Sequence, residues 1–513
     1  MMKLSLTILP LLVISCSSFA QVSESSSYYQ VTFSDKHQYN KAAISLHGQL
    51  IKSEPDFLRH FVLLSASEKQ RLSLHSQQIE YISQTAPKIK LPAAKDNQQT
   101  SGISNYPCYP TVEETFTAAH QLRQNYPQLA TMVDIGNSWQ KSKGIGGYDL
   151  WVLKLTNQQT AEQHPDKPIL FIHAAMHARE YTTSPLALAF AQQMVEQYQT
   201  NADYQWILDR HQIHILLHMN PDGRKQAEQQ LYWRKNANSD YCQGNNIGAD
   251  LNRNFSWNWG NVPGGSSDNP CNELYRGPEP ASEPETQAVE SYLRQIFDDN
   301  RGPLITDAAP DDTQGMHIDL HSYSELILWP WGGTTTPAPN GNALQTLGRK
   351  LAEFNDYYPQ QSVGLYPTDG TSDNISYGEL GIPNITFELG TAFFQSCSVY
   401  QNTILPKNLP ALVYAAKAIE APYLIPSGPD IDELHLNGQQ RFSIAINQTA
   451  TLTIQASDNL FNDINGEETI QNISAIALYI NQSPWDDNAA AISLSPSDGS
   501  LIKTRNKLHM NSI

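Results

Sequence analysis

The octet "HAAMHARE", residues 173–180, follows the apolar run "PILFI" and holds two imidazoles, a guanidinium and a carboxylate. His173 and His177 are four apart, a spacing that suits one face of a helix. His177 and Glu180 are three apart, a spacing that suits the turn where a strand ends. A histidine and a carboxylate are good zinc ligands, and a catalytic zinc takes three protein ligands and keeps one position open. On the strand reading, "ILFIH" points His173 away from Ile172. The chain then passes the small residues Ala174 and Ala175 and turns before the helical run "SPLALAF". Ligands of open α/β sheets bind beyond the carboxyl ends of the strands, which is where His177 and Glu180 fall. The third ligand must come from another strand end, and "HIDLHSYSE" offers His321. His317 faces the same side four residues earlier, deeper in the sheet. His173 reads as a hydrogen-bonded core residue.

The elements that must position these groups are legible from periodicity. "YDLWVLKLT", "ILFIHAA", "IHILLHMNPDG" and "MHIDLHSY" are apolar runs of strand length, and "SPLALAFAQQMVEQY" reads as a helix between two of them. "TVEETFTAAHQLRQNYPQL" opens a further helix with a capping box from Thr111 to Glu114. Strand–helix alternation over residues 105–425 implies an α/β sheet with helices on both faces. Residues 21–100 read as a small α+β unit: "YYQVTF", "HFVLLS" and "QIEYIS" as strands, "SASEKQRLSLH" as a helix, then a polar, Pro-containing linker. From residue 426 to 513 the strands "ELHLNG", "RFSIAI", "ATLTIQAS" and "ISAIALYIN" follow without helices, as in an incomplete β-sandwich. The basic end, "GSLIKTRNKLHMNSI", does not read as a closing strand pair.

A chain of 513 residues is longer than one compact domain. Its net charge of −18 excludes a nucleic-acid partner, which needs clustered Lys and Arg. No later segment is apolar for long enough to span a membrane. Residues 1–20 read as a signal peptide, with Lys3 before "LSLTILPLLVIS" and Ser18 and Ala20 at the cleavage positions. That implies a secreted or periplasmic protein; lipidation at Cys16 is the alternative. Cys108, Cys242, Cys271 and Cys397 remain, enough for two disulfides with three pairings. Cys242 and Cys271 flank one Gly/Asn/Pro-rich loop and are expected to pair, which leaves Cys108 for Cys397.

Over residues 105–425 the chain resembles the zinc metallocarboxypeptidases of the carboxypeptidase A and B type. The resemblance rests on ordered blocks: "HARE" (177–180), "NPDG" (220–223), "YWRK" (232–235), "DLNRNF" (250–255), "HSY" (321–323), "YPTDGTSDN" (366–374) and "TFELG" (386–390). It implies a mixed eight-stranded sheet with helices on both faces and one Zn2+ held by His177, Glu180 and His321. It makes Glu388 the general base, a task a modest carboxylate can perform beside a metal, and Arg234 the oxyanion donor. It makes Asn252 and Arg253 the clamp on a substrate's terminal carboxylate, suited by the guanidinium fork. Tyr366 would close over the bound residue, Arg179 would help draw in the chain end, and Asp250 would orient His177 by accepting its second ring N–H.

The clamp implies an exopeptidase. Asp373, seven residues after Tyr366, falls where the family lines its pocket base, and a carboxylate there implies a preference for terminal Lys or Arg. The alternatives are a broad or apolar preference, a cell-wall peptide amidase on the same fold, or a non-catalytic binding protein. The amidase would often alter the Asn252–Arg253 pair, and the binding protein would lose a ligand or the base. In position and coarse pattern residues 21–100 resemble the family's propeptide, which implies a zymogen opened by an activating protease, with a folding aid or a spacer as the alternative; the protein is expected to be a monomer. After "FEL" the mammalian enzymes carry Arg-Asp, whereas this chain has "GTAFFQSC".

Overall fold

The computed structural model describes residues 101–243 and 246–439, and parts of 27–83 and 449–510. The expected signal peptide, Cys16 and linker residues 84–100 lie outside the described residues. The N-terminal part forms an antiparallel sheet of β1 (Ser27–Thr32), β2 (Leu50–Glu54), β3 (Arg59–Leu64) and β4 (Gln78–Ser83), in the order β2-β3-β1-β4, with a helix at Ala66–Leu72. Strand β2 was not expected. Its apolar residues Leu50 and Ile51 are adjacent, so no period of two marks it.

The central sheet has eight strands: β5 (Ala130–Asn137), β6 (Asp149–Leu155), β7 (Ile169–Ala174), β8 (Gln212–Leu216), β9 (Met316–His321), β10 (Leu326–Trp329), β11 (Tyr358–Gln361) and β12 (Asn384–Glu388). Their order is β11-β10-β12-β9-β7-β8-β6-β5. Its middle, β12-β9-β7-β8, is parallel, while β10 runs antiparallel to β12, and β6 to both β8 and β5. Strands enclosed on both faces read as continuous apolar runs, as "ILFI" does.

Alternation then divides the residues of the middle strands. Leu170, Ile172, Ile318, Leu320, Ile385 and Phe387 belong to one core, shared with the helices Val112–Asn125, Thr183–Glu196, Gly341–Asn355 and Leu405–Ala418. Phe171 and Leu216 belong to a second core with Val289 and Leu293 of the helix Pro284–Ile296. Helices therefore cover both faces, as expected. His173, Asp319 and His321 share the second face. Each buried Leu or Ile stabilises by about 1.5–3 kcal/mol, which offsets the cost of placing polar groups opposite them.

Thr111 caps its helix with both halves of the box formed. The disulfides are Cys108–Cys397 and Cys242–Cys271, the expected pairing. Beyond the central sheet, Asp430–Leu436, Leu452–Ser457, Arg505–Met510 and Ser495–Pro496 form an antiparallel sheet, with a separate pair of Ala477–Leu478 and Ile492–Ser493. "RFSIAI" lies outside the described residues. The basic end corrects the sequence reading, because Arg505–Met510 pairs with strands on both sides. Its side-chain pattern is weak, and the backbone hydrogen bonds offered by two neighbours decide it. Arg349 joins this part to the central domain through Asn465 and Glu468, and Lys350 through Asp430. No helix among the described residues is long and apolar enough to cross a membrane.

Candidate active site

The opening octet is the end of β7 and a pinned turn, and the helix begins only at Thr183. Thr183 Oγ1 accepts from the Ala175 N–H at 3.1 Å and donates to the Glu180 carbonyl at 3.0 Å. The "NPDG" block braces the turn from outside. Asn220 Oδ1 caps the helix Pro221–Ala227 through the Gly223 N–H, while its amide donates to the Met176 and Lys235 carbonyls at 3.1 and 3.0 Å. The Ala178 N–H donates to the carbonyl of Arg234, tying "YWRK" to the same turn. These bonds leave His177 and Glu180 facing beyond the sheet, as the turn reading requires.

Ligand-type atoms of His177, Glu180 and His321 lie within 4.8 Å of one another. Nδ1 of His177 is 2.8 Å from Glu180 Oε1, and Nδ1 of His321 is 3.0 Å from Glu180 Oε2. Parallel pairing of β9 with β12 sets Glu388 beside His321. The donor set of two imidazoles and a carboxylate fits a zinc ion. The far nitrogen of His177 lies 3.0 Å from Asp250 Oδ1, and Asp250 Oδ2 accepts from Arg234 Nε and Nη2 at 3.1 and 2.9 Å. Asp250 is also the cap of the short turn Leu251–Arg253, so one carboxylate orients a histidine, an arginine and the "NR" pair.

A cleft of about 500 Å³ is lined by His177, Glu180, His321 and Glu388, by Arg234, and by Asn252, Arg253, Tyr366 and Asp373. Gly370 lets the chain pass close behind Arg253: its φ is +58°, and a side chain there would collide with the Arg253 carbonyl. Tyr366 Oη is 3.4 Å from Arg253 Nη2. Asp373 Oδ1 accepts from Thr371 Oγ1 at 2.5 Å, whereas Oδ2 is buried without a hydrogen-bond partner. Arg234 Nη1 is likewise buried without one. Arg179 stands off the cleft lining. It donates to the Tyr232 carbonyl at 3.3 Å, lies 3.5 Å from Glu273, and stacks over Phe393.

Electrostatics separate the carboxyl groups. Burial pushes Glu180 upward, but His177 and His321 outweigh it and hold the group down at about 2. Burial, with Glu180 and Asp319 adding to it, raises Glu388 to about 8 against the pull of His321 and Arg234. Glu388 is half-buried and lines the cleft. Burial, with help from Asp319, raises Asp373 to about 6. Burial opposes the charge on Asp250, but Arg234 and His177 keep it ionised. The sequence reading passed over Asp319, which lines the cleft. The signal was available, since His317, Asp319 and His321 alternate along one strand and share a face.

Comparison with known proteins agrees with this geometry. The profile of the zinc carboxypeptidase family matches residues 116–408, more than half of the chain. The chain is 33% identical over 303 residues to a zinc carboxypeptidase of Saccharothrix mutabilis subsp. capreolus, a match covering 56% of this chain and 63% of that protein. It is 28% identical over 319 residues to carboxypeptidase A4 of Mus musculus, covering 60% and 69%. The crystal structure of carboxypeptidase A from Helicoverpa armigera superposes with a TM-score of 0.56 at 21% identity, over 79% of this chain and 99% of that one, and shares the fold. The chain therefore belongs to the zinc carboxypeptidase family.

Proposed function

We propose that the protein is a zinc-dependent exopeptidase that removes C-terminal residues from peptides, with Lys and Arg preferred. The observation that carries this reading is the meeting, in one cleft, of the His177, Glu180 and His321 cluster with Glu388, Arg234 and the Asn252–Arg253 pair. When bound, zinc would acidify a water and polarise the scissile carbonyl. Glu388 takes the proton from the attacking water and passes it to the departing amine. A cation held by the neighbouring ligands favours its ionised form, bringing it into range for a base near neutral pH. Arg234 offers its unpartnered Nη1 to the oxyanion that develops on the carbonyl oxygen. Asn252 and Arg253 hold the terminal carboxylate, and Tyr366 shuts water from the bound residue. Asp373 presents a buried oxygen without a partner, which a terminal ammonium or guanidinium would satisfy.

We infer further that the protein is exported and that residues 21–100 cover the cleft until the linker is cut. Val31, Phe33, Val62 and Leu64 share an apolar cluster with Tyr323 and Phe393, and Tyr323 lies two residues beyond His321. Full activity of the purified, uncleaved chain would rule this cover out. The central test is hydrolysis of acyl-Arg and acyl-Phe dipeptides before and after chelation. Both activities should vanish with the metal, and Arg should be released faster. Equal or faster release of Phe refutes the basic preference; activity that survives chelation refutes the metal mechanism.

A further inference from the structure

We propose that Asp319 is a positioning residue that sets the ring tautomer of His321, and that Ser372 and His173 hold Asp319 for this task. The inference rests on the reading of His177, Glu180 and His321 as the metal ligands. Strand alternation puts Asp319 and His321 on one face of β9, and the pairing of β7 with β9 sets His173 opposite Asp319. The carboxylate is 1% exposed. Oδ1 lies 2.9 Å from His321 Nε2 and 2.7 Å from His173 Nε2, and Oδ2 accepts from Ser372 Oγ at 2.6 Å. Neither imidazole contact has hydrogen-bond geometry, and Oδ1 and His173 Nε2 are both buried without a hydrogen-bond partner, so the carboxylate acts on the two rings through its charge.

His321 turns Nδ1 toward Glu180. For Nδ1 to offer a lone pair to a metal, the ring proton must sit on Nε2, and something must accept it there. Two side chains stand beside Nε2. The Asn252 amide nitrogen, at 3.2 Å, can only donate, because its own oxygen is taken by the Ser372 N–H. Asp319 can only accept. The charge of Asp319 thus favours on His321 the tautomer that the hydrogen bond to Asp250 favours on His177.

His173 is itself held from behind by His317. His317 Nδ1 lies 2.9 Å from both the Asn384 amide and Ser376 Oγ, which hold the ring in place. His317 Nε2 is 2.7 Å from His173 Nδ1, and the Asp319 carboxylate, 2.7 Å from His173 Nε2, favours the His173 proton on the nitrogen that faces it. The octet's first histidine, read from sequence as a core residue, is therefore part of the support for the metal-binding histidine.

The test uses the full chain loaded with zinc. Zinc release to a competing chelator is titrated, and the exchangeable imidazole N–H resonances are recorded. Asp319→Asn should weaken zinc retention by about 10–100-fold and remove one imidazole resonance, with the circular dichroism of the metal-free chain unchanged. Retention within about twofold of the unmodified chain, with that resonance in place, overturns the proposal. Should Asp319→Asn fail to fold, Ser372→Ala removes one contact to the carboxylate and should shift the same resonance with about a threefold loss of retention; no change in either overturns the proposal equally. His177→Ala separates the two failures. If it keeps zinc, the ligand reading itself is wrong; if it loses zinc while Asp319→Asn does not, only the role of Asp319 falls.

Discussion

The central sheet carries a cleft at each end, and the larger is not the one that resembles an active site. At the amino ends of β7 and β8, a cleft of about 830 Å³ is lined by Lys167, Asp209, Arg210, Gln314 and Glu420. Lys167, Asp209 and Glu420 there are hydrogen-bonded within the chain. Lys167 Nζ donates to Thr160 Oγ1 and Thr156 Oγ1 at 2.7 and 2.9 Å, Asp209 Oδ1 accepts from Asn157 and Tyr198, and Glu420 accepts from Gln314. At the carboxyl ends of β7, β9 and β12 the cleft of about 500 Å³ holds buried groups left open: Arg234 Nη1, Arg253 Nε and Asp373 Oδ2 have no hydrogen-bond partner. A buried polar group without a partner costs about 1–3 kcal/mol, so keeping several in one place marks where a ligand completes the bonding. Volume alone does not.

The largest expected effect is at the working cleft. Glu388→Gln should lower kcat by about 10²–10⁴-fold with zinc content unchanged, measured on an acyl-Arg dipeptide; loss of zinc instead would make Glu388 a ligand, not a base. Arg234→Ala should cost about 10²–10³-fold in kcat, and an effect confined to KM would show that its open Nη1 meets ground-state substrate only. Asp373→Asn should reduce the Arg-over-Phe ratio of kcat/KM by about 10-fold or more. The same ratio should depend on pH in the unmodified chain. Asp373 is raised to about 6, so it is neutral below that pH and charged above it, and the preference for Arg should grow as pH rises through about 6. A flat ratio would detach Asp373 from specificity.

The smallest effect is expected at the other cleft. Asp209→Asn should leave kcat/KM within about twofold and cost about 0.5–1.5 kcal/mol of stability, read by denaturant unfolding. A selective loss of activity there would break the contrast between the two clefts.

Much of the chemistry was legible because it is written in short blocks with strong local rules. The cap at Thr111, the β7 run before the octet, and the turn spacing of His177 and Glu180 need only neighbouring residues. Strand β2 and the strand Arg505–Met510 escaped because their side chains carry no clear period; β2 is set by pairing with the adjacent β3, and Arg505–Met510 by pairing with Leu452–Ser457 and Ser495–Pro496. Asp319 escaped for a different reason. Its alternation with His317 and His321 put it on their face, but what it does depends on residues 173 and 372, which only the fold brings to it.

The sequence by itself determined which residue types were present, the helix and strand periods that carry them, and the likeness to one family of hydrolases. Only the tertiary structure decided which polar atoms lack a partner, which histidine nitrogen faces a carboxylate, and that Arg179 stands off the cleft. The physical reason is range. Periodicity and capping act over a few residues, whereas hydrogen-bond satisfaction and burial depend on strands that meet across more than a hundred.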